Sequence, residues 1–247
     1  MPAPLHPWTG LFSVKPGLVA ATRRTRKIRS YVLREGRLTR GQARALEQYW
    51  PLFGLENTDE ELDLNRVFGR PAPKILEIGT GMGEGIIALA GSHPENDYLA
   101  VEVHRPGIGS LLRLAAEQRL TNIRVINRDV VEVLGRQIPD RSLDEVYLFF
   151  PDPWPKKRHH KRRLLNNAFL SLLYTRLKSH ARLYLATDRQ DLAHYLRETC
   201  DEHPRFTNLA GRGNFAPRPV WRPLTKFEQR GTTLKQTARD LVYCVSG

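Results

Sequence analysis

The chain has little cysteine and no long apolar run. Its only cysteines, Cys200 and Cys244, are far apart and match no Cys-x-x-Cys or Cys/His zinc spacing. We therefore expect reduced thiols, no structural metal and a cytoplasmic protein. No apolar stretch reaches the roughly 20 residues of a membrane-spanning helix. The proline-rich first residues also lack the cationic start and continuous apolar core of a secretory signal. These features predict neither a disulfide scaffold nor a membrane protein.

Acidic residues are also scarce. The 247 residues include 39 Lys and Arg but 26 Asp and Glu, a net charge of +13. Residues 51–150 are net acidic, whereas residues 1–50, 151–163 and 205–247 are strongly basic. Basic flanks around an acidic centre indicate a central domain that catalyses a reaction and peripheral segments that bind a polyanion. Nucleic acid is the expected partner, because the basic clusters lack the bulky apolar face of a helix that binds an anionic membrane.

The pattern of apolar residues predicts an α/β fold. Short β-favouring runs alternate with amphipathic stretches, which implies right-handed crossovers and a doubly wound, mostly parallel Rossmann-like sheet. The predicted strands are 74–79, 97–103, 123–128, 143–150 and 181–186, with 206–209 and 238–245 as an antiparallel hairpin at one edge. The predicted helices are 83–92, 105–118, 161–179 and 188–202.

The chain divides into three predicted parts. Residues 1–22 are expected to form a poorly ordered tail. Residues 23–69 are expected to form a basic segment that packs on the core, since nine of the 22 positions from Arg23 to Arg44 are Lys or Arg. Residues 70–247 are expected to form one α/β domain, which is within the usual size of a single domain.

The most informative stretch is Leu148-Phe-Phe-Pro-Asp-Pro-Trp-Pro-Lys-Lys-Arg-His-His-Lys-Arg-Arg163. Its three prolines forbid helix, so Asp152 and Trp154 are predicted in extended backbone at the carboxyl end of a strand. Open α/β sheets bind ligands at that end. The stretch indicates a carboxylate beside a polyanion-binding surface, and the alternative is a proline-rich turn before a solvated cationic helix face. Trp154 could stack on an extruded base or be buried against the sheet.

A glycine-rich turn, Glu77-Ile-Gly-Thr-Gly-Met-Gly83, follows the first core strand. Gly79, Gly81 and Gly83 suit a tight turn that lets a ligand approach the backbone. The alternating glycines depart from the dinucleotide fingerprint, and Glu77 would repel a pyrophosphate. Glu77 would instead attract the ammonium and sulfonium groups of S-adenosylmethionine. A nicotinamide cofactor and a purely structural turn are the alternatives.

Two further carboxylates follow the next strands. Glu102 stands about 20 residues after the glycines, the distance at which a carboxylate reaches ribose hydroxyls, but it could also cap the following helix. Asp129 follows the third strand, where it could lie beside an adenine ring or begin a capping box with Glu132. Residues 187–190 and 225–228 also fit capping boxes.

Together these segments resemble the bacterial tRNA (guanine-N7-)-methyltransferase family, a branch of the Rossmann-like S-adenosylmethionine-dependent methyltransferases. The matching motifs are Glu77–Gly83, Glu102-Val-His104, Phe149–Arg163, Thr187-Asp188 and Thr225-Lys-Phe-Glu-Gln-Arg-Gly231, and the resemblance runs from near Arg29 to the C-terminus. The domain over 70–247 would then be the methyltransferase domain. The family methylates N7 of the variable-loop guanosine, position 46, of tRNA. The resemblance therefore implies S-adenosylmethionine as cofactor and tRNA as partner, with no obligatory protein partner.

The resemblance also implies roles for individual residues. Cofactor binding is expected from Glu77, Gly79, Gly81, Gly83, Glu102, Asp129 and Asp152, and Asp152 would also lie at the reaction centre. Substrate binding is expected from Lys156, Asp188, Thr225, Lys226, Phe227 and Glu228. RNA contacts are expected from Arg158, His159, His160, Lys161, Arg162 and Arg163, and from Arg23, Arg24, Arg26, Lys27 and Arg29. No further metal ligand stands near the two histidines, so RNA contact or a solvated face is favoured over zinc.

The chemistry of the acceptor suggests what Asp152 does. Guanine N7 carries an in-plane lone pair and no proton, so its attack on a methyl group needs no obligatory general base. Asp152 is therefore interpreted as an orienting group that accepts hydrogen bonds from the guanine N1–H and N2–H edge or from the cofactor's amino group. Two other functions stay open: a non-catalytic RNA-binding protein with a Rossmann-like core, and an N-methyltransferase that acts on another substrate.

Overall fold

The computed structural model describes residues 29–31, 37–224, 228 and 237–246. The predicted tail over 1–22 lies outside these residues, as does most of the basic stretch that follows it. The helices are α1 (Arg40–Phe53), α2 (Leu64–Phe68), α3 (Glu84–Ser92), α4 (Arg105–Glu117), α5 (Val130–Arg136), α6 (Asn167–Arg176) and α7 (Gln190–Glu202). The strands are β1 (Gly54–Leu55), β2 (Lys74–Ile78), β3 (Asp97–Val101), β4 (Ile123–Ile126), β5 (Leu143–Phe149), β6 (Leu177–Thr187), β7 (Phe206–Asn208) and β8 (Arg239–Val245).

The described strands form one sheet in the order β1-β4-β3-β2-β5-β6-β8-β7. Strands β1 to β6 pair in parallel, whereas β8 runs antiparallel to both β6 and β7. The predicted doubly wound sheet with an antiparallel C-terminal edge is therefore confirmed. The strand order reverses between β2 and β5, which places a ligand-binding crevice beyond the carboxyl ends of these two strands.

The strands are buried on both faces because helices cover each side of the sheet. On one face α5, α6 and α7 pack over Leu76 and Leu99, and on the other α3 and α4 pack over Ile75 and Ala100. Helix α1 packs on α4, where a Cβ added to Gly109 would lie 2.7 Å from the carbonyl oxygen of Gln42. The division into segment 23–69 and domain 70–247 stays a prediction.

Three local predictions differ from the structure. The helix predicted over 161–179 is divided, since a 3-10 helix covers Lys157–Arg162 and α6 begins only at Asn167. The side chain of Asn166 accepts a hydrogen bond from the amide of Phe169 and so fixes that start. The capping box predicted over 187–190 is wrong, because Arg189 is the N-cap residue of α7. Helix α1 was not predicted, although Thr39 and Gln42 form its capping box.

Among the described residues, no helix combines the length and the apolar character that crossing a membrane requires. Both cysteines are free thiols: Cys200 is a buried residue of α7, and Cys244 is partly exposed on β8.

Candidate active site

A pocket of about 820 Å³ opens at the carboxyl ends of β2, β3 and β5. Its lining includes Gly79 of the glycine turn, Glu102 after β3 and Asp129 after β4. The turn after β5 supplies Asp152 and Lys156 to the opposite side. The pocket therefore lies at the topological switch point, and it brings together residues that are up to 134 positions apart in the sequence, from Ser30 to Leu164.

The glycine turn is shaped by left-handed backbone and by close packing on α4. Gly79, Gly81 and Gly83 have φ angles of 75°, 58° and 86°, which confirms the predicted tight turn. A Cβ on Gly83 would lie 2.5 Å from Cβ of Leu111, and a Cβ on Gly107 would lie 2.1 Å from the carbonyl oxygen of Gly81. Glycine is therefore required at Gly83 in the turn and at Gly107 in α4.

Glu77 ends β2 as a buried carboxylate, with 6% of its surface exposed. None of the described residues donates a hydrogen bond to its Oε2 atom. Burial, and then the nearby charge of Glu102, raise the pKa of Glu77 to about 8. An unsatisfied buried carboxylate is unfavourable unless a cation or donor reaches it. Glu77 is not among the residues that line the pocket, although the adjacent Ile78 and Gly79 are. A buried carboxylate at this edge of the pocket fits the cationic groups of S-adenosylmethionine and does not fit a pyrophosphate.

Glu102 fastens the glycine turn to the start of α4. Its Oε2 atom accepts a hydrogen bond from the amide of Gly81 at 2.8 Å, and its Oε1 atom accepts from the amides of Val103 and His104 at 2.7 and 2.9 Å. The amides of Val103 and His104 precede the first residue of α4, so Glu102 does not cap that helix and the capping alternative is wrong. The residue also lines the pocket, so this structural role is compatible with ligand binding.

Asp129 lies at the pocket and also caps α5. Its carboxylate accepts a hydrogen bond from the amide of Val131 at 3.0 Å, while Glu132 accepts one from Arg128. A capping box would place that hydrogen bond at the amide of Glu132, so Asp129 caps α5 without forming the predicted box. Asp129 also lines the pocket, so a contact with the ligand stays a prediction.

The turn after β5 carries the candidate reaction centre. Phe150 and Trp154 have φ angles of 51° and 43°, so the prediction of extended backbone at Trp154 is wrong. Left-handed backbone at bulky residues is uncommon and is concentrated at functional sites. The amide of Phe150 donates to the carbonyl oxygen of Ala186 at 2.8 Å, which ties the turn to β6. Asp152, between these residues, is exposed and lines the pocket.

Trp154 joins the turn to the N-terminal segment. Its Nε1 atom donates a hydrogen bond to the carbonyl oxygen of Ser30 at 3.0 Å, and Arg162 donates to the carbonyl oxygen of Arg29 at 3.2 Å. The guanidinium carbon of Arg162 lies 4.1 Å from the centre of the indole ring. Trp154 is thus half-buried against the basic run and not buried against the sheet, and Ser30 and Tyr31 become part of the pocket wall.

The basic run divides into exposed and buried members. Lys156, Arg158 and Lys161 are exposed. Arg163 is only 5% exposed, its Nη2 atom lies 3.0 Å from Asp191, and its guanidinium covers the ring of Tyr195. The prediction that Arg163 contacts RNA is therefore wrong, since a buried, paired guanidinium cannot reach a phosphate.

The two histidines of the run lie beside these cations. His159 lines the pocket and meets Trp154 edge to face. Desolvation and the neighbouring cations Arg158 and Arg162 lower the pKa of His159 and so favour its neutral form. His160 is half-buried in the same 3-10 helix. Among the described residues, no group of three or more His, Cys, Asp or Glu could hold a metal ion.

The predicted substrate residues after β6 are placed only in part. Asp188 is half-buried directly after β6 and is not among the residues that line the pocket. Thr225, Lys226 and Phe227 lie outside the described residues. Glu228 is buried, and both of its carboxylate oxygens accept hydrogen bonds from Arg222.

Sequence reasoning missed three residues of this region: Tyr31, His104 and Arg222. Tyr31 and His104 line the pocket. His104 is the last residue of the Glu102-Val-His104 motif, which was a usable signal. Arg222 is buried among carboxylates, and nothing in an arginine-rich and proline-rich loop distinguishes it from its exposed neighbours.

The sheet order, the glycine turn and the carboxylates at the strand ends define a Rossmann-like methyltransferase. The solved structure of the 16S rRNA methyltransferase KamB has the same fold, with a TM-score of 0.53 and 13% sequence identity over 79% of this chain and 99% of that chain. A family described as "putative methyltransferase" matches residues 71–241.

Relatives with higher identity identify the branch. The tRNA (guanine-N(7)-)-methyltransferase of Hydrogenovibrio crunogenus is 50% identical over 88% of this chain and 91% of its own length. The enzyme of the same name from Edwardsiella ictaluri is 50% identical over 90% of this chain and 93% of its own. This chain belongs to the tRNA (guanine-N(7)-)-methyltransferase family.

Proposed function

We propose that this chain methylates N7 of a guanosine in tRNA with S-adenosylmethionine as the methyl donor, and that the acceptor is the variable-loop guanosine at position 46. The observation that carries the function is the 50% identity to tRNA (guanine-N(7)-)-methyltransferases along nearly the whole of both chains. The position of the acceptor is the finer part of the proposal, and it rests on the motifs that the sequence shares with this family.

The residues around the glycine turn fit the cofactor. S-adenosylmethionine, when bound, supplies a methyl group that its sulfonium activates for transfer. Glu77 offers a buried carboxylate without a described donor at Oε2, which would complement the ligand's positive charge. Glu102 and Asp129 line the pocket beyond it, where they would accept hydrogen bonds from ribose and adenine. The carboxylates thus bind and orient, and they need not exchange protons with the acceptor base.

Positioning should dominate the chemistry. Because guanine N7 has no proton to lose, the protein's task is to hold it in line with the methyl group. Such alignment can lower a barrier by roughly 7 to 11 kcal/mol, which exceeds the usual contribution of one acid or base group. Asp152 would accept hydrogen bonds from the guanine edge or the cofactor's amino group. His159 and the ring of Trp154 shape the same side of the pocket.

The reaction can be tested directly. The protein is incubated with radiolabelled S-adenosylmethionine and an unmodified tRNA transcript, and the product is cleaved by borohydride and aniline, which break the chain at N7-methylguanosine. We expect one cleavage, in the variable loop. Label at another site would overturn the proposed acceptor, and no label despite cofactor and tRNA binding would favour a non-catalytic RNA-binding protein.

The exposed cations beside the pocket are proposed to hold tRNA phosphates, in keeping with a cytoplasmic enzyme that meets tRNA there. We expect Arg158→Ala to weaken tRNA binding and to reduce the slope of log affinity against log salt by about 0.7 to 0.9, the loss of one phosphate contact. Binding titrations at several salt concentrations measure this slope. Arg66→Ala, an exposed change in α2 at the opposite end of the sheet, is the control. An unchanged slope in Arg158→Ala would remove this residue from the RNA surface.

A further inference from the structure

Arg222 is a fully buried arginine at the centre of an ion cluster. Its Nη1 and Nη2 atoms donate to the two carboxylate oxygens of Glu228 at 2.8 and 2.6 Å. Its Nε and Nη2 atoms donate to the two oxygens of Asp240 at 2.8 and 3.1 Å. The guanidinium therefore uses both edges of its fork and holds each carboxylate through two hydrogen bonds.

The same guanidinium lies over the strand end that leads into the candidate reaction centre. Its central carbon is 5.6 Å from the ring centre of Phe149 and 5.7 Å from that of Phe150. Both phenylalanines line the pocket, and Phe150 has the left-handed backbone that begins the turn to Asp152. Cation–π contact of a desolvated arginine with two rings is a favourable and directional interaction. Arg222 thus contacts the base of the turn that carries Asp152.

The neighbouring residue anchors the loop that supplies Arg222. Trp221 stacks on Tyr147 with ring centres 5.0 Å apart and meets Tyr184 edge to face at 4.9 Å. Tyr147 in turn stacks on Phe149. This row of rings fixes the loop on β5 and β6, so the position of Arg222 is set from the sheet itself.

We propose that Arg222 is a positioning residue for methyl transfer, an inference that rests on the proposed function. It holds the carboxylate of Glu228 on one side and the Phe149–Phe150 strand end on the other, and so keeps Glu228 in a fixed position relative to the turn of Asp152. Asp240, on β8, binds the guanidinium and holds it where it contacts both Glu228 and the strand end. Arg222 is not among the residues that line the pocket, so it would act through Glu228 and the two phenylalanines.

Stability alone explains this cluster poorly. Replacing a buried ion pair by well-packed apolar side chains is often neutral or stabilising, because the attraction barely repays the loss of hydration. A buried ion triad beside a functional turn is therefore better explained by the geometry that it imposes. Small displacements of a positioned group are sufficient to lower a rate by one to two orders of magnitude.

The test compares Arg222→Met, which keeps length but not charge, with Arg222→Lys, which keeps charge but not the fork. We expect kcat at saturating tRNA to fall about 20-fold in Arg222→Met and about 5-fold in Arg222→Lys, with the affinity for S-adenosylhomocysteine within about 2-fold of wild type. In a Glu228→Gln background, Arg222→Met should cost less than about 2-fold more, since each change breaks the same link from Glu228 through Arg222 to the turn of Asp152.

The control for a purely structural role is Phe206→Leu, a core change in β7 away from the pocket. The inference is wrong if Arg222→Met and Phe206→Leu lower Tm equally and also lower kcat equally. It is also wrong if the loss of kcat in the double variant equals the product of the losses in Arg222→Met and in Glu228→Gln. Wild-type protein is assayed in parallel. An inactive wild type would overturn the proposed function and this inference with it, whereas an active wild type with an equally active Arg222→Met would overturn the inference alone.

Discussion

Asp152→Asn is expected to lower kcat for tRNA methylation by about 10²–10³-fold, the usual cost of removing one preorganised electrostatic contact from an active site. The change keeps the size of the side chain but removes its charge and turns one acceptor oxygen into a donor. An amide would then present N–H groups to the N1–H and N2–H edge of the guanine, and it could no longer accept from both. The affinity for S-adenosylhomocysteine should fall much less than kcat, because Glu77, Glu102 and the glycine turn stay in place.

Single-turnover rates at saturating tRNA measure this effect without interference from product release. Asp140→Asn is a matched control, since Asp140 pairs with Arg176 at the far end of β5 from the pocket. Near-full turnover in Asp152→Asn would show that the carboxylate does not orient the base. An equal loss in both variants would point to instability and not to chemistry.

The sequence predicts this site well where function depends on strand ends. Apolar runs locate the carboxyl ends of β2, β3, β4 and β5, and the ligand-facing residues of an open α/β sheet follow those ends. The sequence therefore predicts that Glu77, Glu102, Asp129 and Asp152 lie near one another. The alternating glycines likewise predicted the tight turn, which the structure forms with left-handed backbone at Gly79, Gly81 and Gly83 because glycine adopts it at little cost.

The remaining features depend on side-chain contacts that have no periodic signal. Nothing in the run Lys156–Arg163 shows that Arg163 turns inward to Asp191 while Arg158 stays exposed. The proline spacing predicted extended backbone at Trp154, but hydrogen bonding to Ser30 and stacking under Arg162 accompany a left-handed conformation there. Arg222 was missed for the same reason, since its partners Glu228 and Asp240 come from separate segments.

Cofactor binding is expected to depend strongly on pH through Glu77. Without a ligand, burial and Glu102 raise the pKa of Glu77 to about 8, so the carboxyl group is protonated in the folded protein at pH 7. A cationic ligand favours the ionised form and must displace that proton. Affinity for S-adenosylmethionine should thus rise by about tenfold per pH unit below pH 8 and level off above it.

Glu77→Gln should remove this dependence and weaken binding at pH 8 by about 100-fold, because a neutral amide offers no charge to the ligand. Calorimetric titration in two buffers of different ionisation enthalpy measures the protons released, which we expect to approach one per cofactor for wild type at pH 6.5 and zero for the variant.

The stability of the protein without cofactor provides a second readout. Between pH 4.5 and 8, Glu77 is ionised in the unfolded chain and protonated in the folded chain. The contribution of Glu77 to the free energy of unfolding should therefore fall by about 1.4 kcal/mol for each unit by which the pH rises. The variant lacks that contribution at every pH. Proton release that is the same in both proteins would show that another group titrates with binding, and that Glu77 is already ionised before the cofactor arrives.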